Sequence, residues 1–136
     1  MAFWLLKTEP SSYSFASLQA EGRTAWTGVK NPVAQRHLRS MQPGDRAVVY
    51  HTGDEKAAVG LAEILGAAYP DPTDRAGALA CVDLAPAAPL ARPVPLAAMK
   101  GHPAFAGSPL LRQGRLSVVP LTAPQWKAIE ELARKG

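Results

Sequence analysis

Two groups of polar side chains follow predicted strands and have the residue types of a binding site. Lys7-Thr8-Glu9 ends the first predicted strand, and Tyr50-His51-Thr52 ends the second. A small barrel brings such strand ends together at one mouth, where they supply hydrogen-bond donors, acceptors and aromatic surface. Neither group contains an obvious nucleophile beside a base, so this composition indicates a recognition pocket.

The usual signatures of catalysis and of metal binding are missing from the sequence. It has no phosphate-binding glycine loop, no His-Glu-x-x-His motif and no nucleophile elbow. The histidines at positions 37, 51 and 102 do not have the spacing of metal ligands. The single cysteine, Cys81, is predicted to be a buried and unreactive thiol. We therefore expect no catalytic residue, no metal ion and no cofactor.

Trp26 and Lys30 each allow two interpretations. Trp26 stands in a polar loop predicted between two helices, where it either covers the core or offers its face to a planar ligand. Lys30 precedes Asn31-Pro32, a strong helix start, and a helix N-terminus with a lysine beside it attracts anions such as phosphate. The other interpretation is a plain capped helix with Arg36 and Arg39 solvated on its outer face. Residue types alone favour packing for Trp26 and leave Lys30 open.

The net charge of +4 is unevenly distributed over the 136 residues. Residues 1–50 and 84–136 are basic, whereas residues 51–83 are acidic. If the fold brings the two basic ends together, they form a positive face that suits a polyanion such as nucleic acid; the alternative is a scatter of solvated charges. One cysteine excludes an intramolecular disulfide, and no segment has the apolar length of a membrane span. We expect a cytoplasmic protein with one domain over residues 1–136.

The elements that must position these residues are short strands and short helices. Strands are predicted over residues 3–7, 46–52, 58–67, 78–84 and 115–120, with a proline-rich edge strand over 86–95. Helices are predicted over residues 14–20, 32–41, 96–100 and 122–134. Hairpin connections dominate, so the pattern predicts an α+β fold: a small, twisted, mostly antiparallel β-barrel flanked by short helices.

Several blocks of the sequence resemble the EVE domain family and occur in that family's order. The first two are Phe3-Trp4-Leu5-Leu6-Lys7-Thr8-Glu9-Pro10 and Trp26-Thr27-Gly28-Val29-Lys30-Asn31. The others lie within residues 41–45, 50–52, 59–63, 68–73, 92–96 and 111–118. Together the blocks cover essentially the whole chain. The resemblance implies a single EVE domain with a PUA-like fold, related to YTH and ASCH domains.

The same resemblance implies recognition of a modified base in nucleic acid. EVE domains resemble readers that accept a base turned out of its strand in a pocket at the barrel mouth, and Trp26 then lies on the pocket wall. The residues expected around the base are Lys7, Thr8, Glu9, Asn31, Tyr50, His51 and Thr52. Phosphate contacts are expected from Lys30, Arg36, Arg112 and Arg115. The expected partner is DNA or RNA that carries a modified base, for example a methylated cytosine or adenine.

Three positions depart from the family pattern. Gln35 stands where the family usually has Arg, so that the arginine is shifted by one position to Arg36. His37 replaces a usual Asn, and Gly53 replaces another. The sequence contains no second tryptophan placed to close the pocket, and either Tyr69 or Phe105 is a candidate for that role.

Two functions are compatible with these features. The first is a nucleic-acid-binding module for a modified, flipped-out base. The alternative is a small hydrolase that acts on a modified nucleobase or nucleoside, with Lys7, Glu9 and His51 supplying an acid and a base. The binding module is favoured because the sequence offers no candidate nucleophile or metal site.

Overall fold

Among residues 1–134, one mixed sheet of seven strands has short helices around it. The computed structural model describes residues 1–134, so the last two residues of the predicted domain lie outside the described residues. The strands are β1 (Phe3–Thr8), β2 (Thr24–Trp26), β3 (Arg46–His51), β4 (Ala57–Ile64), β5 (Tyr69–Pro70), β6 (Ala80–Pro95) and β7 (Val118–Leu121). The helices are α1 (Phe15–Glu21), α2 (Pro32–Ser40), α3 (Leu96–Lys100), α4 (Pro109–Arg112) and α5 (Ala123–Arg134), with a 3-10 helix at Pro103–Phe105.

The strand order is β2-β6-β4-β3-β1-β7, and β5 pairs with β6. Strand β1 runs parallel to β3, with Leu5 opposite Val48, and the other pairs are antiparallel. The sheet curls into a half-barrel, which confirms the predicted α+β, mostly antiparallel, PUA-like architecture. Strand β2 lies at one edge of the sheet. Among the described residues it pairs with β6 and with no other strand.

Strand β6 is longer than the sequence predicted. The predicted strands over 78–84 and 86–95 form one continuous strand, whose proline-rich half pairs with β4 alone, as expected of an edge. The register of this pair shifts between Ala58 and Gly60 and again between Leu61 and Ala62. Each bulge leaves a residue of the strand without a ladder hydrogen bond. Prolines have no backbone N–H to donate, so bulges let them stand in the strand, which bends there but does not end.

Helix ends follow the capping residues that the sequence indicates. The Ser14 side chain accepts a hydrogen bond from Ser17 N at the start of α1, and Gly22 ends that helix in the left-handed region at φ +79°. Asn31 caps α2 through its side chain, which accepts from two backbone N–H groups. Thr122 and Gln125 form a reciprocal capping box at the start of α5, the helix predicted over residues 122–134.

Two stretches that were predicted as irregular contain regular structure. The polar loop expected around Trp26 contains strand β2, and residues 101–109, for which no helix or strand was predicted, contain a 3-10 helix and the start of α4. A three-residue strand has no periodic pattern of its own, because it forms only by pairing with β6. The correction matters for function, since it places Trp26 on a sheet edge.

The core is continuous from the sheet to the helices. Leu5, Leu6 and Val48 are fully buried in the sheet, and Ile129 of α5 packs on the same cluster. Trp4 and Trp126 are buried, and Trp126 stacks on Phe3 with ring centroids 4.8 Å apart. No helix among residues 1–134 has the length and apolar character needed to cross a membrane.

Candidate functional site

A cavity of about 230 Å³ opens between the edge strand β2 and the end of β1. We call it the Trp26 cavity. Six of the described residues line it: Thr8, Tyr13, Thr24, Ala25, Trp26 and Thr27. Three threonines and two aromatic rings give it neutral hydrogen-bonding groups beside flat apolar surfaces, and its lining contains no carboxylate or ammonium group. Such a lining suits an uncharged, planar ligand.

Two aromatic rings form part of its wall. The rings of Tyr13 and Trp26 meet edge to face, with centroids 6.1 Å apart and planes at 82°. Trp26 is 8% exposed, so its indole packs in the core and also borders the cavity. The Tyr13 hydroxyl donates a hydrogen bond to Glu21. Burial raises the pKa of Tyr13, and the contact with Glu21 raises it further, so the phenol stays neutral.

The loop after Trp26 is fixed by a buried aspartate. Gly28, at φ +74°, donates its N–H to Asp71 Oδ2 at 2.8 Å. Asp71 Oδ1 accepts from Thr73 N and Thr73 Oγ1, both at 2.7 Å. Burial alone raises the pKa of Asp71, but these hydrogen bonds outweigh it and hold the pKa below the usual value. The charged carboxylate therefore keeps the cavity wall in place.

Gln35 fixes the same loop from the helix side. Its Nε2 donates to Val29 O at 2.6 Å and to Ala80 O at 3.0 Å, and its Oε1 accepts from Ala80 N at 2.8 Å. The side chain is 3% exposed. Residue 35 therefore points inward and supports the backbone, whereas Arg36 is exposed on the outer side of α2.

Of the first predicted group, Thr8 lines the cavity and its neighbours support it. Thr8 Oγ1 donates to Tyr13 O at 2.7 Å, which fixes the segment that carries Tyr13. Lys7 Nζ donates to Gly114 O at 2.9 Å, and burial lowers the pKa of Lys7. Glu9 accepts from the hydroxyls of Ser11 and Thr52 and is not among the residues that line the cavity.

No residue of the second predicted group, Tyr50-His51-Thr52, lines the cavity. His51 is 8% exposed, and its Nε2 accepts from Phe15 N at 3.0 Å. Nε2 is therefore unprotonated, and Nδ1 carries the proton that faces Glu55 Oε1 at 2.9 Å. This links β3 to the start of α1, next to the segment that carries Tyr13. Tyr50 is buried near Lys7, and Thr52 Oγ1 donates to Thr8 O at 3.3 Å.

The structure thus brings two of the eight predicted base-pocket residues, Thr8 and Trp26, to the cavity lining. Asn31 uses its side-chain oxygen to cap α2. The predicted acid–base set does not meet at the cavity, because both ring nitrogens of His51 are occupied and Lys7 holds a carbonyl.

Residues 1–134 contain no group of three His, Cys, Asp or Glu side chains that could hold a metal ion. Cys81 is fully buried, as predicted, and burial raises its pKa.

Sequence reasoning missed the second aromatic wall. Phe105 is fully buried in the core, and Tyr69 borders a separate surface pocket, where its hydroxyl donates to Asp83. Tyr13, rather than Phe105 or Tyr69, forms the second aromatic side of the Trp26 cavity. The sequence held one signal for this role. Tyr13 lies between the end of β1 and the N-cap residue Ser14, where the chain turns back toward the end of β1.

The four predicted phosphate-binding side chains are all exposed. Arg112 and Arg115 flank Gly114, whose carbonyl accepts from Lys7 Nζ. Because Lys7 is next to Thr8 on β1, this contact holds the arginine-bearing loop near the end of β1. Lys30 follows the loop that Gln35 fixes, and Arg36 lies one residue beyond Gln35.

Comparison with known proteins identifies the family. The sequence profile described as EVE domain matches residues 2–132. The chain belongs to the EVE domain family. Human thymocyte nuclear protein 1 is 31% identical to this EVE domain over 97% of the chain and 74% of that protein.

Solved structures agree with that assignment. A Rhodopseudomonas palustris protein studied by NMR shares 46% identity, with a TM-score of 0.91 over 98% of this chain and 93% of that one. The human THYN1 protein in complex with DNA containing 5-methylcytosine shares 29% identity, with a TM-score of 0.88 over 100% and 99% of the two chains. An ASCH protein from Zymomonas mobilis, at 14% identity and TM-score 0.60 over 96% and 94%, shares the fold alone.

Proposed function

We propose that this EVE domain binds DNA that contains 5-methylcytosine and holds the modified base, flipped out of the duplex, in the Trp26 cavity. The observation that carries the proposal is an uncharged cavity walled by Trp26 and Tyr13, in a chain similar over its whole length to a human protein that was solved with such DNA. At about 230 Å³ the cavity is smaller than the roughly 300–1,000 Å³ of sites for larger ligands, and it suits a single base.

The energetics of flipping require contributions from both the base and the backbone. Turning a base out of the stack costs a few kcal/mol, and each base stacked on an aromatic ring contributes about 1–3 kcal/mol. A methyl group read by apolar fit adds about 1–3 kcal/mol of discrimination. Phosphate contacts must supply the remainder, and we assign these to Lys30, Arg36, Arg112 and Arg115.

The proposed roles divide the predicted site into two layers. Thr8, Tyr13 and Trp26 contact the base. The supporting layer contains Lys7, Glu9, Asn31, His51 and Thr52, which make the hydrogen bonds described above, and Tyr50, whose ring lies beside Lys7 Nζ. A neutral lining favours the neutral cytosine ring, since no lining charge has to be desolvated when the base enters.

The test is a binding titration with fluorescently labelled duplexes that differ only at one central base. Cytosine, 5-methylcytosine, 5-hydroxymethylcytosine, adenine and N6-methyladenine are compared, with an RNA of the same sequence as a further arm. We expect the tightest binding to the duplex with 5-methylcytosine. Equal affinity for cytosine and 5-methylcytosine would contradict the proposal.

A matched pair of tryptophan variants locates the binding site. Trp26→Leu removes the ring at the cavity, and Trp126→Leu removes a ring of similar exposure, 6% against 8%, on α5. Both variants lose core packing, so thermal unfolding is measured for each. We expect the preference for 5-methylcytosine to disappear in Trp26→Leu and to remain in Trp126→Leu; the reverse pattern would place the site elsewhere.

A further inference from the structure

The hydrogen-bonding direction of β6 reveals which backbone groups of β2 are unpaired. Asp83 lies opposite Ala25 in the antiparallel pair of β2 and β6. The carbonyl of Asp83 accepts from Leu65 N at 2.9 Å, on the side of β6 that faces β4. In an antiparallel ladder, opposed residues either exchange both backbone hydrogen bonds or exchange none. Asp83 and Ala25 therefore exchange none.

The contacts of neighbouring residues agree with this alternation. Leu79 O accepts from Asp71 N, and Cys81 pairs with Tyr69, so residues 79, 81 and 83 face the β4 and β5 side. Ala80 directs its N–H and C=O the other way, to Gln35. By the same alternation residues 82 and 84 face β2, and their partners there are Trp26 and Thr24. The N–H and C=O of Ala25 then point away from the sheet, and neither has a hydrogen-bond partner among the described residues.

The Trp26 cavity runs along this free edge. Four consecutive residues, 24 to 27, line it, although successive side chains of a strand point to opposite faces. Both faces can border one cavity only if the cavity follows the edge of the strand. The unpaired N–H and C=O of Ala25 are at the middle of that edge, with the Tyr13 and Trp26 rings beside them.

We infer that Ala25 reads the Watson–Crick edge of the bound base through its backbone. Its N–H donates to cytosine N3, and its C=O accepts from the N4 amine. The inference rests on the proposed function and deepens it by assigning the contact that separates 5-methylcytosine from thymine. Thymine also carries a 5-methyl group, but it presents an N–H at position 3 and a carbonyl at position 4. In the same orientation the thymine N3–H would face the Ala25 N–H, and the thymine O4 would face the Ala25 C=O. Neither hydrogen bond could then form.

The base analogues that test this contact leave the protein unchanged. One DNA sequence carries 5-methylcytosine, cytosine, thymine or 5-methyl-2-pyrimidinone, which lacks the N4 amine, each opposite an abasic site so that flipping breaks no base pair. We expect thymine to bind about 100-fold more weakly than 5-methylcytosine, and the pyrimidinone about tenfold more weakly. If the pyrimidinone binds as well as 5-methylcytosine, the Ala25 contact is wrong while the proposed function stands. If cytosine matches 5-methylcytosine, the proposed function fails instead.

A backbone variant tests the same contact from the protein side. Ala25→Pro removes the N–H but no ladder hydrogen bond, because that N–H faces the open edge, where proline is tolerated. The matched control, Ala25→Ser, keeps the N–H. We expect Ala25→Pro to bind 5-methylcytosine about tenfold more weakly than Ala25→Ser does, with similar thermal unfolding of the two variants. Equal affinities of two folded variants would overturn the assignment.

Discussion

At the scale of single residues, the Trp26 cavity depends on side chains whose own polar groups are already occupied. The Tyr13 hydroxyl is bonded to Glu21, and the Thr8 hydroxyl donates to Tyr13 O. Both residues are therefore held in one orientation before any ligand arrives. A site arranged in advance loses less conformational entropy on binding, so more of the stacking energy appears as affinity.

Tyr13→Ala tests the second aromatic wall. Loss of the ring removes one stacking surface, so we expect the affinity for DNA with 5-methylcytosine to fall about tenfold. Tyr13→Phe keeps the ring and should retain most of the affinity. Tyr69→Ala is the matched control, because Tyr69 is an exposed ring outside the cavity. An equal loss in the Tyr69 variant would show that the titration does not report on the cavity.

Asp45 makes the stability of the fold depend on pH. Burial alone raises its pKa, but hydrogen bonds from Ala2 N, Gln42 N and Trp4 Nε1 outweigh burial and lower the pKa below its usual value. A carboxyl with a lowered pKa in the folded state stabilises the fold above its unfolded pKa of about 4, and this contribution is lost as the pH falls through the folded value.

The measurement is urea unfolding of Asp45→Asn and of the wild type at pH 7 and at pH 3. We expect the substitution to lower the free energy of unfolding by about 1–3 kcal/mol at pH 7 and by less at pH 3. The exposed Asp54→Asn is the control and should change stability little at either pH. A deficit of the same size at both pH values would exclude a contribution from the charge of Asp45.

At the scale of elements, helix α1 is fixed to the sheet at two points. The Phe15 ring lies directly over Gly60 of β4, where a Cβ atom would come within 2.4 Å of the ring. The Phe15 N–H donates to His51 Nε2 of β3. These contacts set the position of the segment before α1, which contains Tyr13, so the sheet and α1 together shape the cavity.

Gly60→Ala tests this coupling between packing and binding. The added methyl group must displace Phe15, so we expect a loss of about 1–3 kcal/mol in the free energy of unfolding and weaker binding of DNA with 5-methylcytosine. Gly66→Ala is the matched control, because a Cβ at Gly66 meets no atom within 4 Å. Unchanged stability in the Gly60 variant would mean that α1 can shift without cost.

At the scale of the whole molecule, two carboxylates of the acidic segment make internal contacts, whereas the basic segments carry exposed cations. The acidic segment 51–83 includes Asp71 and Asp83, which hold the cavity loop and Arg23. The basic ends carry the exposed side chains proposed to contact phosphates. Lys7 joins the ends, because its Nζ on β1 binds Gly114 O between Arg112 and Arg115.

The salt dependence of binding measures these phosphate contacts. Each removed contact should make the slope of log affinity against log salt concentration shallower by about 1. We expect this for Arg112→Ala and for Arg115→Ala, with the preference for 5-methylcytosine retained. Arg92→Ala is the control, since Arg92 is exposed on β6. An unchanged slope in the double variant Arg112→Ala/Arg115→Ala would remove this loop from the interface.

The sequence alone determined the features that depend on neighbouring residues. Ser14, Asn31 and the Thr122-Gln125 box indicated helix starts because their side chains cap N–H groups two or three positions away. An apolar run predicted β1 and a run rich in Val and Tyr predicted β3, and the blocks in their order indicated the EVE family. These signals lie within a few residues, so no tertiary contact is needed to interpret them.

The cavity was decided only by the tertiary structure. Strand β2 exists because it pairs with β6, Gly28 is held by Asp71 43 residues away, and Gln35 binds Ala80 45 residues away. The inward direction of Gln35, the place of Tyr13 and the free edge at Ala25 all follow from these long-range contacts. A linear sequence states which residues are present, but the contacts between distant ones depend on how the strands pair and curl, and that geometry makes the site.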